Sequence, residues 1–314
     1  MPIIRRARAL SALLAALAFG PVAAAPTVVA SIAPVHSLVA AVMDGVGEPH
    51  LLVPGSSSPH SHALRPSDAR AIESAGLVVW VGPGLENFLE RPIASLVRRG
   101  EVLRLVDTEG LRLLPLRDDH AHDHGHDHSH GHGDGAAAID MHIWLDPANA
   151  RGLAGRIGEA LAGIDPGNAG TYRRNAERLR ERLATLDAEI ARQMAPLAGR
   201  RFVVFHDGYQ YFERRYGLAQ VGVLTVNPEV SPGAERIRRL RTRIAADGIA
   251  CVFIEPQFST AIAEAVIEGS SARIGRLDPL GARLAPGPEL YPRLMGNLAA
   301  SFRDCLAPSA ATER

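Results

Sequence analysis

The sequence contains no lysine: all 34 of its basic side chains are arginines, and 34 aspartates and glutamates balance them. With a formal net charge of zero, nothing in the charge points to nucleic acid or an anionic membrane as a partner. Long apolar runs are missing too. Past the first 25 residues no segment reaches the ~18 consecutive apolar residues that a spanning helix needs, so a soluble mature chain is expected. Cysteine is almost absent, with only Cys251 and Cys305. In an exported chain such a pair reads as one disulfide in an oxidising compartment, the alternative being two unpaired buried thiols.

Export is suggested by residues 1–25. Arg5, Arg6 and Arg8 precede an apolar stretch from Leu10 to Phe19, and Ala23-Ala24-Ala25 supplies an A-x-A cleavage site, so the mature chain is expected to begin near Pro26. No cysteine follows the cleavage site to accept a lipid, which favours a free periplasmic protein over a tethered one.

Short β-branched or apolar runs occur at Thr27 to Ser31, Leu77 to Val81, Arg201 to Phe205, Gln220 to Leu224 and Cys251 to Ile254. Helical patterns such as Val35 to Met43 and Pro66 to Ser74 lie between them, and this alternation implies parallel α/β sheets, one on each side of a distinctive middle segment. From Pro166 to Met194 the chain places Tyr172, Ala176, Leu179, Leu183, Leu186, Ile190 and Met194 at three- and four-residue intervals. One long amphipathic helix is expected there, spanning roughly 40 Å and joining two lobes; a coiled-coil arm is the competing reading. The expected layout is therefore 1–25 signal, 26–165 first lobe, 166–196 linking helix and 197–314 second lobe.

The run 118–135, DDHAHDHGHDHSHGHGDG, has no apolar residue larger than alanine and cannot bury enough surface to fold alone, so a mobile loop is expected. His120, His122, His124, His126, His128, His130 and His132 supply a dense set of imidazoles for a borderline metal such as zinc, nickel or copper; a solvated linker is the plainer reading. Of the six remaining histidines, three stand where structure gives them a purpose. His60 lies in the turn-rich SSSPHSHALRPSD before a helix start, His142 in DMHIWLDP after the His-rich run, and His206 in RFVVFHDGYQYF where a buried strand ends. A residue just past a strand's carboxyl end points into the crevice where open α/β sheets bind their ligands, and Glu255 and Asp278 end strands in the same way. Three imidazoles with carboxylates nearby match a four-coordinate zinc site.

These stretches, with VVASIAPVHSLVAAVMDGVGE, LRPSDARAIESAGLVVWVGPGLE, TVNPEVSPG, CVFIEPQF and RLDPLGARL, resemble the periplasmic zinc-binding proteins of ABC importers, the ZnuA type within a cluster serving zinc, manganese and iron. The resemblance covers essentially the whole mature chain. It implies two (β/α) lobes joined by one rigid helix, with a metal cleft between them and Zn2+ bound by His60, His142 and His206. Manganese-selective relatives carry glutamate at the third position, so His206 argues for zinc. For the fourth ligand the resemblance offers Asp278 or water, with His62 as an outside candidate. Some relatives use an acid before the first histidine, but Pro59 stands there. Glu255 is expected to orient a ligand or fix an interdomain contact, and a Cys251–Cys305 bridge agrees with zinc-uptake relatives. The resemblance further implies a monomer that delivers to an inner-membrane ABC permease, with a periplasmic zinc-donor protein as a further candidate partner. Three alternatives stand beside this. A zinc hydrolase would need an open coordination position and a general base, yet H-E-x-x-H is absent and Glu255 is the one base candidate. A manganese or iron importer subunit is disfavoured by His206 and the His-rich run, and a periplasmic metal buffer without a transporter is not distinguished by residues.

Overall fold

Strand and helix alternate in two separate series along the chain. The computed structural model describes residues 25–117, 138–225 and 228–307. The expected signal, except Ala25, and the whole His-rich run 118–135 lie outside the described residues. The first series runs β1 (Val28–Ile32), α1 (Ala33–Val42), β2 (His50–Val53), α2 (Pro66–Ser74), β3 (Leu77–Trp80), α3 (Asn87–Leu96) and β4 (Glu101–Arg104). Its strands form a parallel sheet in the order β2-β1-β3-β4. After α4 (Pro147–Ile164) and α5 (Ala169–Met194) comes the second series. It comprises β5 (Arg201–Val204), α6 (Gln210–Tyr216), β6 (Ala219–Val223), α7 (Ala234–Ala246), β7 (Cys251–Ile254), α8 (Ala261–Ile267), β8 (Arg273–Arg276) and α9 (Leu290–Leu306). Its sheet is also parallel, in the equivalent order β6-β5-β7-β8.

The central strands β1, β3 and β7 are buried along their whole length, as parallel strands covered on both faces must be. In each sheet the strand order reverses beside the first strand, and that reversal opens a crevice at the carboxyl ends. The local signals are equally physical. Pro66 begins α2 because its missing N–H costs nothing there, and Asp68 reaches back to accept from the Arg65 amide at 2.9 Å.

The long helix α5 has 26 residues, about 39 Å at the standard rise. Tyr172, Ala176, Leu179, Leu183, Ile190 and Met194 are buried, while Leu186 is half-buried. The helix packs on α4 and α1 of the first lobe and on α9 of the second, so its apolar stripe is satisfied within the chain and no coiled-coil arm projects. Asn175 Nδ2 donates to the carbonyls of Val42 and Asp44, and Arg182 pairs with Glu289. Cys251 and Cys305 are joined, tying β7 to α9. Among the described residues no helix is long and apolar enough to cross a membrane.

Candidate metal centre

Three loops, two of them following sheet strands, bring their histidines together. His60 sits in the loop between β2 and α2, His142 just before a 3-10 turn at Ile143–Leu145, and His206 two residues past β5. One ligand-capable nitrogen from each lies within 4.8 Å of the others. The Nε2 atoms of His142 and His206 are 3.3 Å apart. Two nitrogens bound tetrahedrally to zinc at ~2.0–2.1 Å stand ~3.3–3.4 Å apart, so this pair already has the spacing the ion requires. His142 and His206 are buried and His60 is half-buried.

Carboxylates hold two of the rings. Asp140 Oδ1 accepts from the His142 amide at 3.0 Å and lies 2.8 Å from its Nδ1, while Glu255 Oε1 lies 2.5 Å from His206 Nδ1. Each carboxylate keeps the proton on Nδ1 and leaves the Nε2 lone pair facing the common point. Burial, followed by the neighbouring His142 and His206 rings, drops the His60 pKa to about 3, so this ring is neutral and ready to coordinate. Burial opposes charge on His206, but Glu255, with Asp207 and Asp140 behind it, outweighs burial and raises its pKa. Burial also works against the charge of Asp140, yet its bonds to His142 lower its pKa overall. Removing either orienting charge should be felt at the metal: Asp140→Asn and Glu255→Gln are each expected to weaken zinc binding by ~10–100-fold. Isothermal titration of the folded variants checks this, and unchanged affinity in both would show that the rings are oriented by packing alone.

Asp278, expected as a fourth ligand, is not gathered with the three histidines. Its Oδ1 accepts from the amides of Leu280 and Gly281 and its Oδ2 from that of Ala282, so both oxygens are engaged in its own turn. Burial raises its pKa against those three bonds. His62 also stands apart, with its ring centroid 5.3 Å from that of Phe88, and burial lowers its pKa. Glu255, expected to orient a ligand or fix an interdomain contact, meets the His206 ring. Asp140 was not foreseen in the sequence, and the available signal was a carboxylate two residues before a histidine, in D-M-H. The seven histidines of the 118–135 run lie outside the described residues.

The segment carrying His142 is tied to the second lobe from both sides. Tyr211 donates its hydroxyl to the Asp140 carbonyl at 2.7 Å, Tyr291 to the Trp144 carbonyl at 2.7 Å, and Trp144 Nε1 to the Pro279 carbonyl at 2.9 Å. Arg215 pairs with Asp146, the N-cap of α4, at 3.0 Å. Arg117, immediately before the His-rich run, donates to Asp207 at 2.7 Å, to Gln220 at 2.6 Å and to Glu213. Burial pushes the Glu213 carboxyl up to about 7 even with Arg117 beside it.

Residues 28–305 match the family model ZnuA, described as zinc-uptake complex component A, periplasmic. The high-affinity zinc uptake system protein ZnuA of Brucella suis is 46% identical over 305 residues, covering 89% of this chain and 91% of that protein. The ZnuA of Paracoccus denitrificans is 40% identical, covering 95% and 97% respectively. A crystal structure of ZnuA superposes with a TM-score of 0.77 at 25% identity, covering 90% of this chain and 100% of that one. On this evidence the chain belongs to the ZnuA family of periplasmic zinc-uptake components.

Proposed function

We propose that this chain captures Zn2+ in the periplasm through His60, His142 and His206 and delivers it to the inner-membrane permease of an ABC zinc importer. The carrying observation is the convergence of three imidazole nitrogens within 4.8 Å of one another, with the His142–His206 pair at the spacing tetrahedral zinc requires. An all-nitrogen donor set also suits zinc better than the harder manganese ion. The family is one of solute-binding transport components rather than enzymes, so the hydrolase alternative lapses. In this reading residues 1–25 direct export, 26–165 and 197–314 form the two halves of the cleft, and 166–196 links them. A helix packed on both halves permits small tilts and not a wide hinge, so release requires the membrane partner to disturb the site. The 118–135 run serves as an auxiliary collector or sensor. Its deletion should lower the zinc stoichiometry and leave one tight site.

Protons compete for this site in a defined direction. The His206 pKa lies above the ordinary histidine value, so zinc must displace a proton from that ring to bind. Affinity is therefore full above that pKa and falls as pH drops through it, by roughly tenfold per pH unit for one competing proton. His60, with its pKa near 3, adds no competition in this window. Competitive titration with Zn2+ and Mn2+ between about pH 7.5 and about pH 5.5 tests both points. A zinc-selective site that weakens with acid is expected, whereas flat affinity, or manganese binding as tight as zinc, would refute the three-histidine reading. Growth of a deletion strain separates importer from buffer: loss of an importer matters when zinc is chelated, loss of a buffer when zinc is in excess.

A further inference from the structure

Tetrahedral zinc held by three nitrogens needs a fourth donor. The two carboxylates that follow strands near the site are engaged elsewhere: Asp278 with three backbone amides, and Glu255 Oε1 with His206. Pro59, before His60, offers none. The three rings line a larger, open cavity of about 520 Å³ with Asn87, Asp140, Asp207 and Glu229 on one side, and on the other a small one of about 20 Å³ with Ser58, Trp144, Gln257 and Leu280 among its walls. The small cavity, on the Gln257 side, has room on the order of one water molecule.

Gln257 stands two residues beyond Glu255, in the turn after β7. Its Nε2 donates to the Gly55 carbonyl at 2.7 Å, across the cleft in the loop that carries His60. Only an N–H can face that carbonyl, so the orientation of the amide is fixed and Oε1 turns the other way. Oε1 is buried and accepts from no described group. A buried acceptor without a donor is costly, so a donor is expected there, and water polarised by a divalent cation is a strong one.

The location of the latch matters because the ligands are unequally held. His206 belongs to the second lobe, and the His142 segment is bonded to it by Tyr211, Tyr291, Trp144 and Arg215. His60 comes from the opposite lobe, and Gln257 reaches over to its loop.

Resting on the proposed zinc site, we infer that Gln257 is a positioning residue with two tasks on one amide. Its Oε1 accepts from the single water that completes the coordination of the ion, and its Nε2 latches the His60 loop closed. Filling of the fourth position and closure of the loop are then coupled through one side chain, and the permease can release the ion by pulling that loop away from the standing His142–His206 pair.

Gln257→Leu keeps the volume and removes both bonds. In the full chain it should speed zinc release to a chelator by ~10–100-fold, the range expected for loss of a group supporting a metal ligand. The visible spectrum of the Co2+-loaded variant should also change in band position and intensity, because the fourth donor is altered. A separate measurement on the unmutated protein guards against a variant that does not fold: Co2+-loaded protein in 17O-labelled water should show a hyperfine coupling from one bound water. Absence of that coupling overturns the proposal, as does a folded Gln257→Leu variant with unchanged spectrum and release rate, even if its melting temperature falls. Failure of the zinc site itself would look different: the unmutated protein would show no tight zinc, or His206→Ala would leave it intact.

Discussion

His206→Ala should remove the tight zinc site, lowering affinity by well over the ~100-fold that loss of a mere supporting group can cost. His206 contributes one of the two Nε2 atoms already spaced 3.3 Å apart, and alanine leaves His142 without its partner across the ion. The substitution also leaves Glu255 buried without the ring nitrogen it faces at 2.5 Å. Weak sites in the 118–135 run should be untouched. Competitive titration with a chromophoric chelator should therefore count one tight equivalent fewer, with the weak equivalents unchanged. A tight site indifferent to the change would move the ion to other ligands.

The second large effect concerns stability. Cys251 and Cys305 are 54 residues apart in sequence, and closing a loop of that length stabilises the native state by about 4 kcal/mol on the chain-entropy model. Cys251→Ala with Cys305→Ala should lose about that much, seen as a drop of roughly 10 °C in melting temperature for a chain of this size. The bridge has a functional side as well. It ties β7, which leads directly into Glu255 and Gln257, to α9, which carries the Tyr291 hydroxyl bonded to Trp144. The double variant should therefore bind zinc more weakly even at temperatures where it remains folded. Thermal melts and zinc titrations of the two proteins check both parts. A loss below ~1 kcal/mol would mean that the cross-link constrains little in the unfolded chain.

Much of the fold was legible because burial on both faces writes a continuous apolar run. All four inner strands, β1, β3, β5 and β7, were anticipated within a residue or so, as was the edge strand β6. The other edges were not. In β4, EVLR buries only Leu103, and in β8, RIGR leaves both arginines exposed, so neither shows the pattern of an inner strand. The edge strand β2 has its first residue, His50, exposed and Leu51 half-buried, so only Leu52 and Val53 are fully covered. Helix α2 has the bounds its sequence predicts because Pro66 marks its start chemically, whereas α1 begins two residues earlier than its apolar spacing predicts.

Legibility at the site followed the same logic. Strand ends flagged His206, Glu255 and Asp278 together, but position past a strand does not say which way a side chain turns. Asp278 is captured by the amides of Leu280, Gly281 and Ala282, a purely local event in its own turn. Glu255 is free of such a turn and meets His206, which is 49 residues away. Asp140 follows no strand of either sheet and was therefore overlooked, although it shares a turn with His142. Gln257 could not have been found from sequence, because its meaning depends on Gly55, which lies 202 residues earlier and on the other side of the cleft.

The most direct test of the central claim is anomalous diffraction at the zinc absorption edge from crystals of the zinc-loaded protein. The account predicts a peak within ~2.0–2.1 Å of one nitrogen from each of His60, His142 and His206, with no carboxylate of Asp278 in contact. A principal peak away from these three rings, or one held by Asp278 in place of any of them, would contradict it.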